Sequence, residues 1–142
     1  VAEGNIGEIM LYVLVSDATG ELELSGSRAE LYAFGRQVRG GLGETALSHV
    51  ADPAPYSRSL ARVVFRQADA AEAVISVLAD GETLEVRGGP EALAYLAANI
   101  EGFAEDGDAT GHLHLEYPGH DYLAEESDPL VVALDEGVSS PS

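Results

Sequence analysis

Three histidines near the end of this chain, His112 and His114 in His112-Leu113-His114 and His120 six residues on, are its one cluster with the makings of a metal site. Side chains two apart on a strand share a face, so His112 and His114 could chelate zinc or a similar ion, with Glu116 on the same side. His120, beyond a Pro118-Gly119 turn, would return as a third ligand. The spacing also has a plainer source. Two polar residues alternating with Leu113, Leu115 and Tyr117 on a half-exposed strand need no ion. An isolated His-x-His pair is a weak signal, so His112, His114 and His120 are kept as candidates only, and neither a metal nor any other cofactor is expected.

Catalytic motifs are missing. There is no Gly-x-Ser-x-Gly elbow, no Walker loop and no His-Glu-x-x-His helix. The Gly-Gly pairs at 40–41 and 88–89 lack the wider spacing of a nucleotide loop and read as caps and turns. The absence of Cys excludes disulfides, thiolate metal sites and Cys nucleophiles, and it fits a reducing cytosol. The chain reads as a protein without enzymatic activity.

Charge is the stronger signal. The formal net charge is −18, there is no Lys, and all seven cations are Arg between Arg28 and Arg87. From there to the end no basic residue occurs. Such a surface repels nucleic acid and anionic membranes, because binding phosphate requires cations that release its counterions. It attracts basic proteins and speeds their encounter. The expected binding surface is the acidic stretch from Glu101 to Asp128. Glu105, Asp106 and Asp108 are placed in a loop after the second helix. Asp121, Glu125, Glu126 and Asp128 are placed between the last two strands, with Tyr117 and Tyr122 among them. Tyr offers rigid contact area with a polar tip, and carboxylates suit Arg and Lys of a partner. A solvated loop that only maintains solubility, or adaptation to salt, would give the same composition.

These residues need a scaffold, and the chain spells one out twice. Leu22-Glu23-Leu24-Ser25-Gly26 through Gly40 lines up, at a constant offset of 62, with Leu84-Glu85-Val86-Arg87-Gly88 through Gly102. Each copy predicts strand, turn, strand and helix. The strands are Ile9 to Ser16 and Glu21 to Ser25, then Ala73 to Ala79 and Thr83 to Arg87. Ser27 and Glu30 have capping-box spacing, and Pro90 suits a first helical position. Leu31, Phe34, Gly35 and Val38 form one apolar stripe; Leu93, Leu96, Ala97 and Ile100 form its counterpart. Gly40 and Gly102 are the expected helix stops. Further strands are expected over Ser59 to Gln67, His112 to Tyr117 and Leu130 to Asp135. The runs Ile9–Val15 and Leu130–Leu134, apolar on both faces, should be central strands.

With 142 residues and an apolar share of 46%, one α+β domain is expected. It would comprise two pseudo-symmetric ββα(β) halves, about 6–69 and 70–136, sharing an antiparallel sheet system with both helices packed on it. Residues 1–5 and 137–142 read as flexible ends. The apolar run from Ile9 to Val15 is too short to cross a membrane, which takes about 20 residues, and has no signal-peptide flanks, so a cytoplasmic location is expected.

The segment His112-Leu113-His114-Leu115-Glu116-Tyr117-Pro118-Gly119-His120-Asp121-Tyr122-Leu123, followed by Pro129-Leu130-Val131-Val132, resembles the C-terminal signature of the immunity protein 32 family. Gly88-Gly89-Pro90-Glu91-Ala92-Leu93 is also similar, and the resemblance extends over roughly residues 73–134. Members often read Tyr-Phe-Pro-Gly-His where this chain has Tyr117-Pro118-Gly119-His120, one residue shorter. The resemblance implies a small bacterial protein, encoded beside a polymorphic toxin, that neutralises it. Many such toxins are nucleases, which are basic because they bind phosphate, and an acidic inhibitor can fill a basic cleft. The expected partner is therefore a basic protein, a cognate toxin, with a nuclease among the candidates. The rival expectations are a metal- or small-ligand-binding protein using His112, His114 and His120, and a structural or assembly subunit.

Overall fold

The computed structural model describes residues 11–108 and 110–135. The expected flexible ends and the first residues of the Ile9–Ser16 strand lie outside them. Among the described residues, short alternating segments become nine strands: β1 (Tyr12–Val15), β2 (Leu22–Gly26), β3 (Glu44–Ala46), β4 (Arg58–Ser59), β5 (Arg62–Gln67), β6 (Ala73–Val77), β7 (Thr83–Gly88), β8 (His112–Leu115) and β9 (Leu130–Leu134). Helix α1 (Arg28–Gly40) follows β2, and α2 (Pro90–Asp106) follows β7. The α+β class read from the sequence is the observed one.

Both helix starts follow their local sequence. The Ser27 hydroxyl accepts the Glu30 N–H while the Glu30 carboxylate accepts the Ser27 N–H, which completes the capping box. Pro90 opens α2. The helix ends differ from expectation. Gly40 is the last helical residue, and Gly41, at φ +63°, closes α1 by donating its N–H to the Gln37 and Val38 carbonyls. Gly102 lies inside α2, which runs one turn further and caps at Gly107. That extra turn buries Ala104, so burial outweighs the roughly 1 kcal/mol that a helical Gly costs against Ala.

The strands form two sheets, in order β4-β1-β2-β9-β8 and β3-β5-β7-β6. Each is mixed, where a purely antiparallel system was expected. In sheet one the β1–β2 hairpin is antiparallel and β2 then pairs parallel with β9, Leu22 opposite Leu130. In sheet two the β6–β7 hairpin is antiparallel and β7 pairs parallel with β5, Leu84 opposite Val63. β9, late in the chain, thus joins the sheet of β1 and β2, and the earlier β5 pairs with the β6–β7 hairpin. β1 and β9 are interior strands, in keeping with their apolar runs. β3 carried no strand signal in the sequence.

The helices lie side by side and antiparallel, since Arg28 of α1 reaches the carbonyls of Ala104 and Gly107 while Arg39 pairs with Glu101. They touch closely at Gly35, where an added Cβ would come within 2.7 Å of the Glu101 Cγ and 3.3 Å of the Ala97 carbonyl. Both predicted stripes are buried here: Leu31, Phe34, Gly35 and Val38 against Leu93, Leu96, Ala97 and Ile100. With Val13, Leu22, Leu24, Ile75, Leu84 and Val132 they form one apolar cluster. Among the described residues no helix is long and apolar enough to cross a membrane.

Candidate partner-binding surface

Strand β8 ends sheet one, so only β9 pairs with it, His112 opposite Ala133 and His114 opposite Val131. His112 and His114 are exposed on one side, their ring centroids 6.3 Å apart, while Leu115 points into the core. His120 does not join them. It lies in the following turn, its N–H bonded to the Glu116 carbonyl and its ring 5.5 Å from Tyr122. Its Nδ1 is buried without a hydrogen-bond partner. Among the described residues no three His, Asp or Glu side chains converge as a metal site would require.

The connection from β8 to β9 is bound to the outer edge of sheet two. The Ala73 N–H donates to the Tyr122 carbonyl, and the Ala73 carbonyl accepts the Ala124 N–H. Two residues on, the Ile75 N–H donates to the Ser127 hydroxyl and the Ile75 carbonyl accepts the Asp128 N–H. Leu123 and Ala124 are buried beneath this seam. The loop therefore covers an edge that would otherwise offer unpaired backbone groups, and its own backbone is tied down at Tyr122, Ala124 and Asp128.

The side chains it presents are acidic and aromatic. Asp121, Glu125 and Glu126 are exposed, and Tyr117 is 47% exposed. Asp128 is half-buried, and desolvation raises its carboxyl above the usual range despite a bond from the Val77 N–H. Tyr122 leans on α2. Its hydroxyl accepts a hydrogen bond from Asn99 Nδ2 at 2.9 Å, and its ring stacks on Tyr95 at 6.0 Å and 25°. Burial pushes the Tyr122 phenol up to about 12, the nearby Asp121 charge adding to the shift and Asn99 opposing it, so the group is neutral at physiological pH.

The other three expected acids sit differently. Glu105 and Asp106 belong to the last turn of α2, not to a loop, and only Asp108 lies beyond it. Negative charge at a helix C-terminus opposes the dipole, and α2 has no basic residue in its last turn. Arg28 of α1 supplies the missing cation, donating to Ala104 O at 3.2 Å and Gly107 O at 2.8 Å. Asp108 accepts from the Thr110 N–H and hydroxyl, which hold its carboxyl below the usual range. On the α2 surface Tyr95, Asn99, Gly102 and Asp106 follow helical spacing along one side, so Asp106 extends the face that carries the Tyr95–Tyr122 pair. Glu105 instead lines a cleft with Arg28, Ala29 and Tyr32 between the helices.

Tyr95 and Asn99 were not anticipated. The available signal was an exposed Tyr on the polar side of an amphipathic helix with Asn one turn later. Four arginines elsewhere are engaged: Arg58 with Asp17, Arg62 with Asp80, and Arg66 and Arg87 with Glu85. Among the described residues no ion pair reaches Asp121, Glu125 or Glu126, so these charges stay uncompensated. One comparison bears on what such a surface is for. Residues 83–135 match the family model for Immunity protein 32. The match runs from β7 to the end of β9 and includes the whole acidic loop and α2, which supports the resemblance read from the sequence. No curated protein and no solved structure matches the chain.

Proposed function

We propose that this chain is a non-enzymatic immunity protein that neutralises a cognate basic toxin of its own bacterial host. Asp106, Tyr117, Asp121, Tyr122, Glu125 and Glu126 form the contact surface, extended by Tyr95, while Glu105, Asp108 and Asp128 border it. The observation that carries the reading is an uncompensated acidic loop, with its Tyr locked to a helix, inside the segment that matches Immunity protein 32. Acids at the end of α2 add to it, because they stand where helix stability disfavours them. The protein acts in the cytoplasm, needs no cofactor and binds neither nucleic acid nor membrane. A nuclease cleft shaped for phosphate would suit a carboxylate-lined occupant, which makes a nuclease the first toxin class to assay.

The test begins with a tagged pull-down from the native host at low salt, eluted by a salt gradient and identified by mass spectrometry. A single basic protein near stoichiometric amount, inhibited by this chain in a direct activity assay, is the expected result. Its association rate with the Asp121→Asn, Glu125→Gln, Glu126→Gln variant should fall about tenfold at low ionic strength and lose its salt dependence. An unchanged association rate would refute the assigned surface.

A further inference from the structure

We propose that Tyr95 is the anchor of this surface and that it receives an arginine side chain of the partner, whose guanidinium stacks on the open side of the ring. The assignment rests on the immunity reading above. Tyr95 is 54% exposed, on the solvent side of a helix whose buried side is complete without it. Its ring is nonetheless supported on one side. Tyr122 stacks against one side, and Asn99 Nδ2 donates both to the Tyr95 carbonyl and to the Tyr122 hydroxyl. An aromatic ring that is fixed before binding loses little entropy when a ligand lands on it.

Charge selects the ligand. Glu91 lies one turn before Tyr95 on α2 and is exposed, and Asp121 is close enough to Tyr122 for its charge to be felt by the phenol. Among the described residues, the ion pairs go to Glu101, Asp17, Asp80 and Glu85, and none reaches Glu91 or Asp121. A planar cation can stack on the ring and donate to the flanking carboxylates together, which is the geometry of guanidinium. A lysine ammonium is compact and strongly hydrated, so it gains from the acids but less from the ring. A second copy of this chain is disfavoured as occupant by a net charge of −18 on each.

The experiment uses two capped model peptides, four Gly-Arg repeats and four Gly-Lys repeats, titrated into the full chain at about 150 mM salt. Binding is followed through the ring-proton resonances of Tyr95 and Tyr122. The Arg peptide should bind about fivefold more tightly, the size of an exposed cation–π contact. Tyr95→Leu should remove that preference, and Tyr95→Phe should keep it. Equal binding of both peptides by the parent, or a preference that survives Tyr95→Leu, overturns the anchor. If equal binding is also lost on neutralising Asp121, Glu125 and Glu126, the anchor fails while the acidic-surface reading stands. Binding of neither peptide overturns both.

Discussion

Ser127→Ala removes one hydroxyl and tests whether the acidic loop is an integral part of sheet two. Ser127 Oγ accepts the Ile75 N–H at 2.9 Å, and Ile75 is fully buried, so the variant strands a buried donor. An intact hydrogen bond contributes about 0.5–1.5 kcal/mol, whereas a buried donor left without an acceptor costs about 1–3 kcal/mol. The seam stays closed on both sides of the gap through the bonds of Ala73 to Tyr122 and Ala124 and of Ile75 to Asp128, which keeps water away from the Ile75 amide. The expected loss is therefore about 2 kcal/mol, which lowers the melting temperature by roughly 5–8 °C for a domain of this size. Urea unfolding gives the free energy, and hydrogen exchange of the Ile75 amide localises it. Ser127→Thr, which keeps the hydroxyl, should restore most of the stability. A loss below about 0.5 kcal/mol with unchanged Ile75 protection would refute the reasoning, because the loop would then not be supplying the edge.

Asp128→Asn should stabilise the protein at neutral pH. Its folded-state carboxyl binds its proton more tightly than in the unfolded chain, so it favours the fold in acid and that contribution is lost as pH rises through the raised pKa. The gain of the variant over the parent should shrink as pH falls from neutral toward about 4, and chemical denaturation at a series of pH values will read it. Arg28→Met should lower stability by about 1–2 kcal/mol by removing the donors at Ala104 O and Gly107 O, with amide exchange in the last turn of α2 accelerated first. Unchanged exchange there would count against Arg28 as the cap of that turn.

Local features of the fold could be read because they depend on neighbouring residues alone. The Ser27–Glu30 box, Pro90 at the start of α2 and the two apolar stripes each follow from a spacing of three or four residues. Gly102 misled because a glycine signals a stop only when nothing beyond it gains by staying helical, and Ala104 does gain. The parallel pairings were invisible, since Leu22 meets Leu130 and Val63 meets Leu84 across intervals on which alternation says nothing. The loop acids were legible as a run of charge without cations. Tyr95 was not, because one Tyr on a polar helix face acquires meaning only through Tyr122, which tertiary structure brings against it. The histidines show the converse: adjacency in sequence suggested three ligands, and the turn after β8 directs His120 toward Tyr122 instead.

Both sheets combine strands distant in the chain, which sets the order in which they can be completed. Sheet one waits for β9, almost the last segment described to leave the ribosome, and until then β2 has an open flank. The segment matching Immunity protein 32 gives β7 to one sheet and β9 to the other, so it leans on strands that lie before it in the chain. Sheet one is therefore complete only once β9 has been translated. A protease cut in the stretch between β5 and β6 would leave two fragments still clasped through each other's sheets, so the acidic loop could outlast the break.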